Sequence, residues 1–131
     1  MVKAGCLDGI DEIYGYHNVP NFDEGDIRVC EGPIFAQVNG VKISITGQGG
    51  HGSSPHKIHD PINAACQILN ALHSIKARNL DSAKNIVFTI CGIQAGTTDN
   101  VFPDEAFLMG TIRSFDKPTL DRMMERIDEI S

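Results

Sequence analysis

The sequence predicts an α+β fold in which two helices cover one face of an antiparallel sheet. In two segments, which begin near Asp60 and Pro118, apolar residues recur every three to four positions, as in amphipathic helices. Three other segments alternate apolar and polar residues or are rich in β-branched side chains, as strands are. All five segments follow Ile34, and residues 1–32 do not form a complete folding unit of their own.

The first strand segment covers residues 34–46, and the other two cover residues 86–93 and 106–115. The Asn39-Gly40 pair divides the first segment. This pair is typical of a tight hairpin turn, and it also suits a bulge inside one long strand. The sequence does not separate these two alternatives.

Both helices are predicted from their first residues as well as from their periodicity. Asp60 followed by Pro61 combines an N-cap acid with proline at the first helical position, where its missing N–H leaves no partner unsatisfied. Pro118 opens the second helix. The apolar stripes of the two helices are Ile62, Ala65, Cys66, Leu69, Leu72 and Ile75, and then Leu120, Met123, Met124, Ile127 and Ile130. The order strand, helix, strand, strand, helix is that of a ferredoxin-like sandwich without its final strand, so we expect a chain cut short at Ser131.

Composition excludes several classes of protein. The 131 residues suffice for one domain, or one domain with a fragment of another, and the net charge of −6 argues against nucleic-acid binding. No apolar run approaches the ~20 residues of a membrane helix, and no secretion signal is expected. Four cysteines without a CxxC pair favour a reducing, cytoplasmic setting, and Cys66 and Cys91 are predicted to pack in the core.

A single histidine, His51, lies in the glycine-rich segment 47–55, GQGGHGSSP. Glycine permits positive φ angles and close approach of another surface, and an exposed imidazole titrates near neutral pH. A merely solvated loop histidine explains the pattern equally well. No acidic partner is predicted beside His51, so neither a Ser-His-Asp nor a Cys-His arrangement is expected.

Three further polar residues are candidates for a site. Residues 11–17 are predicted as a short strand that ends at His17, where the backbone would fix the direction of a metal-ligating imidazole. A structural role is the more common alternative for a lone histidine. Asn100 lies in the loop before the third strand, and Arg113 near the end of that strand offers a planar fork for a carboxylate or a surface ion pair. The spacing of His56 and His59 suggests a metal pair, but both precede the regular helix, so a solvated loop is the preferred interpretation. His73 is predicted on the polar side of the helix and is given no role.

Five motifs follow one another along the chain. They are YGYHNVP at 14–20, GQGGHGSSP at 47–55, DP at 60–61, NVFP at 100–103 and GTIRSF at 110–115. Together they resemble the dimetal aminoacylase and carboxypeptidase family. They resemble in particular its amidohydrolase branch, which includes hippurate hydrolases, indole-acetyl-amino-acid hydrolases and N-acyl-amino-acid amidohydrolases. The resemblance extends from about Gly5 to the last residue.

The resemblance implies a catalytic domain with two divalent metal ions, zinc or manganese, interrupted by an inserted lid or dimerisation domain. Residues 33–131 would be this lid. Residues 1–32 would be the last segment of the catalytic domain before it, and His17 matches a metal ligand there. The other metal ligands and the catalytic glutamate of the family have no counterpart in this sequence.

The resemblance also assigns roles to three residues of the lid. His51 matches a histidine that reaches across a homodimer and hydrogen-bonds the scissile carbonyl oxygen as negative charge develops on it. Asn100 and Arg113 match residues that bind the polar end of the substrate, and Arg113 would face a carboxylate.

The expected activity of the whole enzyme is hydrolysis of an amide bond in an N-acyl amino acid or small peptide. This chain alone is expected to be inactive, because one histidine cannot hold two metal ions. One alternative is a stand-alone ferredoxin-like dimerisation or small-molecule-sensing module, which has no use for the segment that ends at His17. Another is a compact hydrolase with His51 as general base, which requires a nearby acid.

Overall fold

The computed structural model describes residues 2–131, and the chain divides into two compact units, Met1–Cys30 and Glu31–Ser131. In the described part of the first unit, the one regular element is a single 3₁₀ turn at Val2–Ala4. The predicted strand over residues 11–17 is wrong, because these residues have no regular secondary structure. A strand needs a hydrogen-bonding partner, and the described residues of this unit contain none.

The second unit has the predicted α+β fold. Its elements are β1 (Gln37–Thr46), β2 (Gly50–His51), a 3₁₀ turn (Pro55–Lys57), α1 (Pro61–Asn79), β3 (Ile86–Ala95), β4 (Val101–Phe102), β5 (Glu105–Ser114) and α2 (Lys117–Ile130). The three long strands form an antiparallel sheet in the order β1-β5-β3, while β2 and β4 form a separate two-stranded ribbon. This arrangement confirms the ferredoxin-like two-layer sandwich.

The Asn39-Gly40 pair forms neither a turn nor a bulge. Strand β1 runs through it, and Asn39 and Gly40 lie opposite Ile112 and Thr111 without a shift of register. Pairing with β5 over ten residues satisfies the backbone groups of β1 that face β5, which outweighs the local turn preference of the pair. The irregularity of the sheet is in β3, where the register shifts at Cys91.

The core lies between the sheet and the two helices. Its buried apolar residues are Val41, Ile43, Ala65, Leu72, Ile75, Ile86, Ala106, Leu108, Ile112, Leu120, Met123 and Ile127. They follow period two along the strands and helical spacing along α1 and α2, as the sequence predicts. No helix within residues 2–131 is both long enough and apolar enough to cross a bilayer.

Three residues that the sequence places in the core are instead exposed: Cys66, Cys91 and Met124. Cys66 follows the fully buried Ala65, and one residue turns an α-helix by about 100° away from the core. Met124 likewise directly follows the fully buried Met123 and is therefore turned away from the core. Cys91 sits in the irregularity of β3, where the alternation of faces is interrupted.

Asp116 caps the N-terminus of α2. Its carboxylate accepts hydrogen bonds from the Thr119 hydroxyl at 2.7 Å and the Thr119 backbone N–H at 2.9 Å, and the Lys84 ammonium lies 3.9 Å away. The Thr119 hydroxyl contributes most, and these partners together hold the pKa of Asp116 below its ordinary value of 3.8. They do so because each interacts more favourably with the charged carboxylate than with the neutral acid.

This cap predicts a pH-dependent part of the stability. Because the folded-state pKa of Asp116 is lower than the unfolded one, the stabilisation is present above the unfolded pKa and is lost as pH falls through the folded pKa. Asp116→Asn keeps a capping residue but does not titrate. We expect its melting temperature, followed by circular dichroism, to fall less than that of the wild type between about pH 5 and pH 2.5. If the melting temperatures of the two proteins fell equally with pH, the Asp116 carboxylate would not be the source of this part of the stability.

Candidate functional site

The β2–β4 ribbon brings two of the predicted site residues together. His51 of β2 pairs with Val101 of β4, directly after Asn100. The backbone N–H of Gly52 then donates a hydrogen bond to the Asn100 carbonyl at 2.8 Å. His51 and Asn100 are therefore neighbours across a ribbon, although 49 positions separate them in the sequence.

Backbone hydrogen bonds on both sides hold the glycine-rich segment in place. The Gly47 N–H donates to the Asp104 carbonyl at 2.7 Å, and the Gly49 N–H donates to the Asp104 carboxylate at 2.8 Å. On the other side, Gln48 and His59 exchange two backbone hydrogen bonds of 2.9 and 3.0 Å. The segment that carries His51 is thus clamped between the end of β4 and the approach to α1.

Sequence reasoning missed Asp104, whose carboxylate helps to place the segment. Its partner, Gly49, is 55 residues away along the chain, and no local motif relates the two. The available signal was weak: an acid that directly follows the NVFP motif and precedes β5. The Asp104 carboxylate accepts a hydrogen bond from the Gly49 backbone N–H, which would otherwise need a water molecule as its partner.

The glycines of this segment allow close approach. No residue from 47 to 52 has a positive φ angle, so the left-handed conformation is not what requires glycine here. A Cβ atom on Gly47 would lie 2.2 Å from the His59 carbonyl oxygen, and one on Gly49 would lie 2.3 Å from the Phe102 carbonyl oxygen. Both distances are far inside van der Waals contact, so any side chain at either position would force the backbones apart.

The His51 side chain is exposed, and its Nδ1 atom faces Ser53. The Ser53 backbone N–H donates to Nδ1 at 3.2 Å, and the Ser53 Oγ lies 2.8 Å from the same nitrogen. A backbone N–H can only donate, so Nδ1 is the acceptor and the neutral ring carries its hydrogen on Nε2. An Nε2–H group is a donor, which suits the stabilisation of a negatively charged oxygen better than general-base catalysis.

Arg113 lies at the other end of the sheet. It is half-buried in β5, opposite Val38 and Val87, and donates hydrogen bonds to the Thr111 hydroxyl and, at 3.2 Å, to the Ile112 carbonyl. None of its contacts within residues 2–131 is with a carboxylate. The side chain borders an open cavity of about 320 Å³, which Ala36, Lys76, Asn85, Ile86, Val87 and Phe115 also line.

The structure therefore separates Arg113 from His51 and Asn100. The ribbon is anchored at Asp104, directly before β5, whereas Arg113 is the ninth residue of that strand. Eight residue steps of about 3.4 Å place Arg113 about 27 Å further along the sheet. One chain thus carries two distant groups of polar residues.

His17 belongs to the first unit, in a segment without regular structure. Its Nδ1–H donates to the Asn18 carbonyl at 2.8 Å, so the lone pair of the neutral ring is on Nε2. A backbone carbonyl on one ring nitrogen is a common second contact of metal-ligating histidines. Within residues 2–131, however, no three histidine, cysteine or carboxylate side chains are grouped to hold a metal ion. The residues present do not fit a dinuclear centre.

Comparison with known proteins identifies the class to which this fold and ribbon belong. Residues 37–131 match the M20 peptidase dimerisation domain, and the chain belongs to the M20 family. The chain is 41% identical over its full length to an N-acetylcysteine deacetylase of Bacillus subtilis (strain 168), of which it covers 34%. It is 42% identical over 117 residues to thermostable carboxypeptidase 2 of Saccharolobus solfataricus, with 89% of this chain and 30% of that protein aligned.

Solved structures agree with this assignment. The Bacillus subtilis YXEP protein, described as a dinuclear metal binding peptidase of the M20 family, superposes with a TM-score of 0.62 at 34% identity, covering 98% of this chain and 32% of that one. A putative aminohydrolase of methicillin-resistant Staphylococcus aureus gives a TM-score of 0.68 at 29% identity over 74% of this chain and 25% of that one. The chain spans about a third of the length of the curated relatives it matches. The family that the motifs indicate is confirmed.

Proposed function

We propose that residues 33–131 are the lid, or dimerisation, domain of a metal-dependent amidohydrolase, and that residues 1–32 are the preceding segment of its catalytic domain. The whole enzyme hydrolyses the amide bond of an N-acyl amino acid or a small peptide. The similar proteins named as deacetylases and carboxypeptidases support this reaction, because both activities break a C–N amide bond. The observation that carries the proposal is the clamped ribbon, which presents His51 and Asn100 together on a dimerisation domain.

His51 provides a hydrogen-bond donor for the scissile carbonyl. As the carbonyl carbon becomes tetrahedral, negative charge develops on its oxygen, and a donor placed in advance stabilises that charge without reorganisation. The Nε2–H group of His51 meets this requirement, since Ser53 occupies the other ring nitrogen. Asn100, the ribbon neighbour of His51, binds the polar end of the same substrate.

Two subunits share each active site. An N-acyl amino acid is about as long as two or three residues of extended chain, or roughly 10 Å. Within one chain, Arg113 lies about 27 Å along β5 from the residue at which the ribbon is anchored, which is longer than one such molecule. In a homodimer, His51 and Asn100 of one subunit therefore serve the same substrate as Arg113 of the other.

Two divalent metal ions, zinc or manganese, belong to the whole enzyme. The similar dinuclear metal binding peptidase of Bacillus subtilis supports two metals, and His17 would contribute one imidazole ligand. The residues of this chain do not complete such a centre, so this chain alone is inactive. We further propose a cytoplasmic location, which the exposed thiols of Cys66 and Cys91 support because thiols stay reduced there.

The activity is tested by assaying the full-length enzyme with added zinc or manganese on a panel of N-acyl amino acids and short peptides. Release of the free amino acid is expected from the full-length enzyme and not from the 131-residue chain. A full-length, dimeric enzyme that hydrolyses none of these amides with either metal would overturn the proposal. So would equal hydrolysis by the 131-residue chain alone.

Arg113→Ala in the full-length enzyme is expected to weaken binding of substrates that end in a free carboxylate. Loss of a charge-assisted hydrogen bond corresponds to about a 10- to 100-fold rise in KM. The matched substrate with a terminal carboxamide should change little. Arg122→Ala is the control, because Arg122 is an exposed residue of α2 that pairs with Glu125 and does not line this cavity. Equal losses on the acid and the amide would contradict the carboxylate clamp.

A further inference from the structure

Ser53 makes two contacts with Nδ1 of His51, and only one of the two is compatible with both neutral forms of the imidazole ring. The hydroxyl, 2.8 Å from Nδ1, is able to donate or accept and would fit either neutral form of the ring. The backbone N–H, 3.2 Å from Nδ1, only donates. A hydrogen on Nδ1 would therefore point at a second donor, so both contacts are satisfied together only when the hydrogen is on Nε2.

The backbone around Ser53 is fixed independently of its side chain. The Ser54 N–H donates to the His51 carbonyl at 2.9 Å, which closes a turn, and the Gly52 N–H donates to the Asn100 carbonyl at 2.8 Å. A Cβ atom on Gly52 would lie 3.2 Å from that same carbonyl oxygen, so the turn lies close against β4. The donors of Ser53 are thus held beside the imidazole.

We propose that Ser53 is a positioning residue that holds His51 in the Nε2–H form and fixes the direction of its ring. The inference rests on the proposed role of His51. It adds that Ser53 keeps the hydrogen of His51 on Nε2, the nitrogen that donates to the substrate. The hydrogen bond at one ring nitrogen determines which nitrogen carries the proton. With the hydrogen on Nδ1, the ring would present a lone pair to the carbonyl oxygen and repel the charge that develops there.

The tautomer is measured directly in the 131-residue chain by ¹⁵N-histidine NMR, at an alkaline pH at which histidine side chains are neutral. We expect Nδ1 of His51 to give the signal of an unprotonated nitrogen and Nε2 that of a protonated one. Ser53→Ala removes the hydroxyl at 2.8 Å and leaves the longer backbone contact at 3.2 Å, so both signals should shift partway toward the average of the two tautomers. Ser53→Thr should restore them. Ser54→Ala is the matched control, because no capping hydrogen bond involves the Ser54 side chain.

The kinetic consequence is measured in the full-length enzyme. Ser53→Ala should lower kcat about five- to tenfold with little change in KM, which is the effect of one neutral hydrogen bond, and Ser53→Thr should recover most of it. A proton on Nδ1 in the wild type, or signals and kcat that Ser53→Ala leaves unchanged, would overturn the inference. If His51→Ala itself leaves kcat unchanged, the proposed function fails, whatever the NMR shows for the tautomer.

Discussion

His51→Ala in the full-length enzyme is expected to lower kcat by two or more orders of magnitude. Removal of one donor to a developing oxyanion typically costs about 10²- to 10³-fold in turnover. The His51 side chain is exposed on its ribbon and supports no core residue, so the dimer should remain folded. The loss is therefore expected in kcat, with a smaller change in KM, because the interaction strengthens as the transition state forms.

The measurement compares steady-state kinetics of wild type and His51→Ala at equal metal content and equal dimer content. His73→Ala is the control, since His73 is an exposed histidine on α1, outside the ribbon. It should retain wild-type turnover. Unchanged turnover in His51→Ala would remove His51 from the active site, and an equal loss in His73→Ala would indicate a general effect on folding.

Gly49→Ala is expected to be nearly as damaging, although the change adds one methyl group and touches no reacting atom. The new Cβ would lie 2.3 Å from the Phe102 carbonyl oxygen, 3.0 Å from the Pro103 carbonyl carbon and 3.1 Å from the Asp104 carboxylate. Two of these atoms are backbone, so β2 must move away from β4. Overpacking of this kind costs about 1–3 kcal/mol in stability. A shift of about 1 Å in a positioned catalytic group costs up to about 100-fold in rate.

Gly40→Ala is the matched control for Gly49→Ala. Gly40 also lies in a strand of the same unit, but a Cβ atom there would meet nothing within 4 Å and its φ angle is not positive. We expect wild-type turnover and equal or slightly higher stability in Gly40→Ala, measured by urea unfolding and by kcat. A Gly49→Ala enzyme with wild-type values of both would show that the close approach of β2 to β4 is not needed.

The sequence was most informative where the interactions that decide the structure are themselves local. The Asp60-Pro61 cap and the periodic stripe of α1 predict that helix to within its first turn, and the alternation of Val41, Ile43 and Ile45 predicts which face of β1 is buried. The ordered motifs predicted the family, which the match to the dimerisation domain confirms. These features depend on neighbours within a few positions, which a single sequence displays.

The features that the sequence did not predict depend on distant partners. The two-residue strands β2 and β4 are too short to have a pattern, yet their pairing brings His51 next to Asn100. Asp104 acquires its role from Gly49, 55 positions away. Asn39 and Gly40 remain in the extended strand β1 because its pairing with β5 over ten residues outweighs the local turn preference of the pair. The separation of Arg113 from the ribbon likewise follows from the direction of β5, which the sequence alone did not relate to the ribbon.

The most direct test asks whether His51 serves the active site of the other subunit. Full-length His17→Ala and His51→Ala enzymes, each expected to be inactive, carry different affinity tags and are unfolded and refolded together. In a mixed dimer, one active site would combine the intact His17 of one subunit with the intact His51 of the other. Random pairing of equal amounts makes half of the dimers mixed, each with one intact site, so about a quarter of wild-type activity should return. A mixture that contains tagged heterodimers and is as inactive as its two parents would contradict the shared active site.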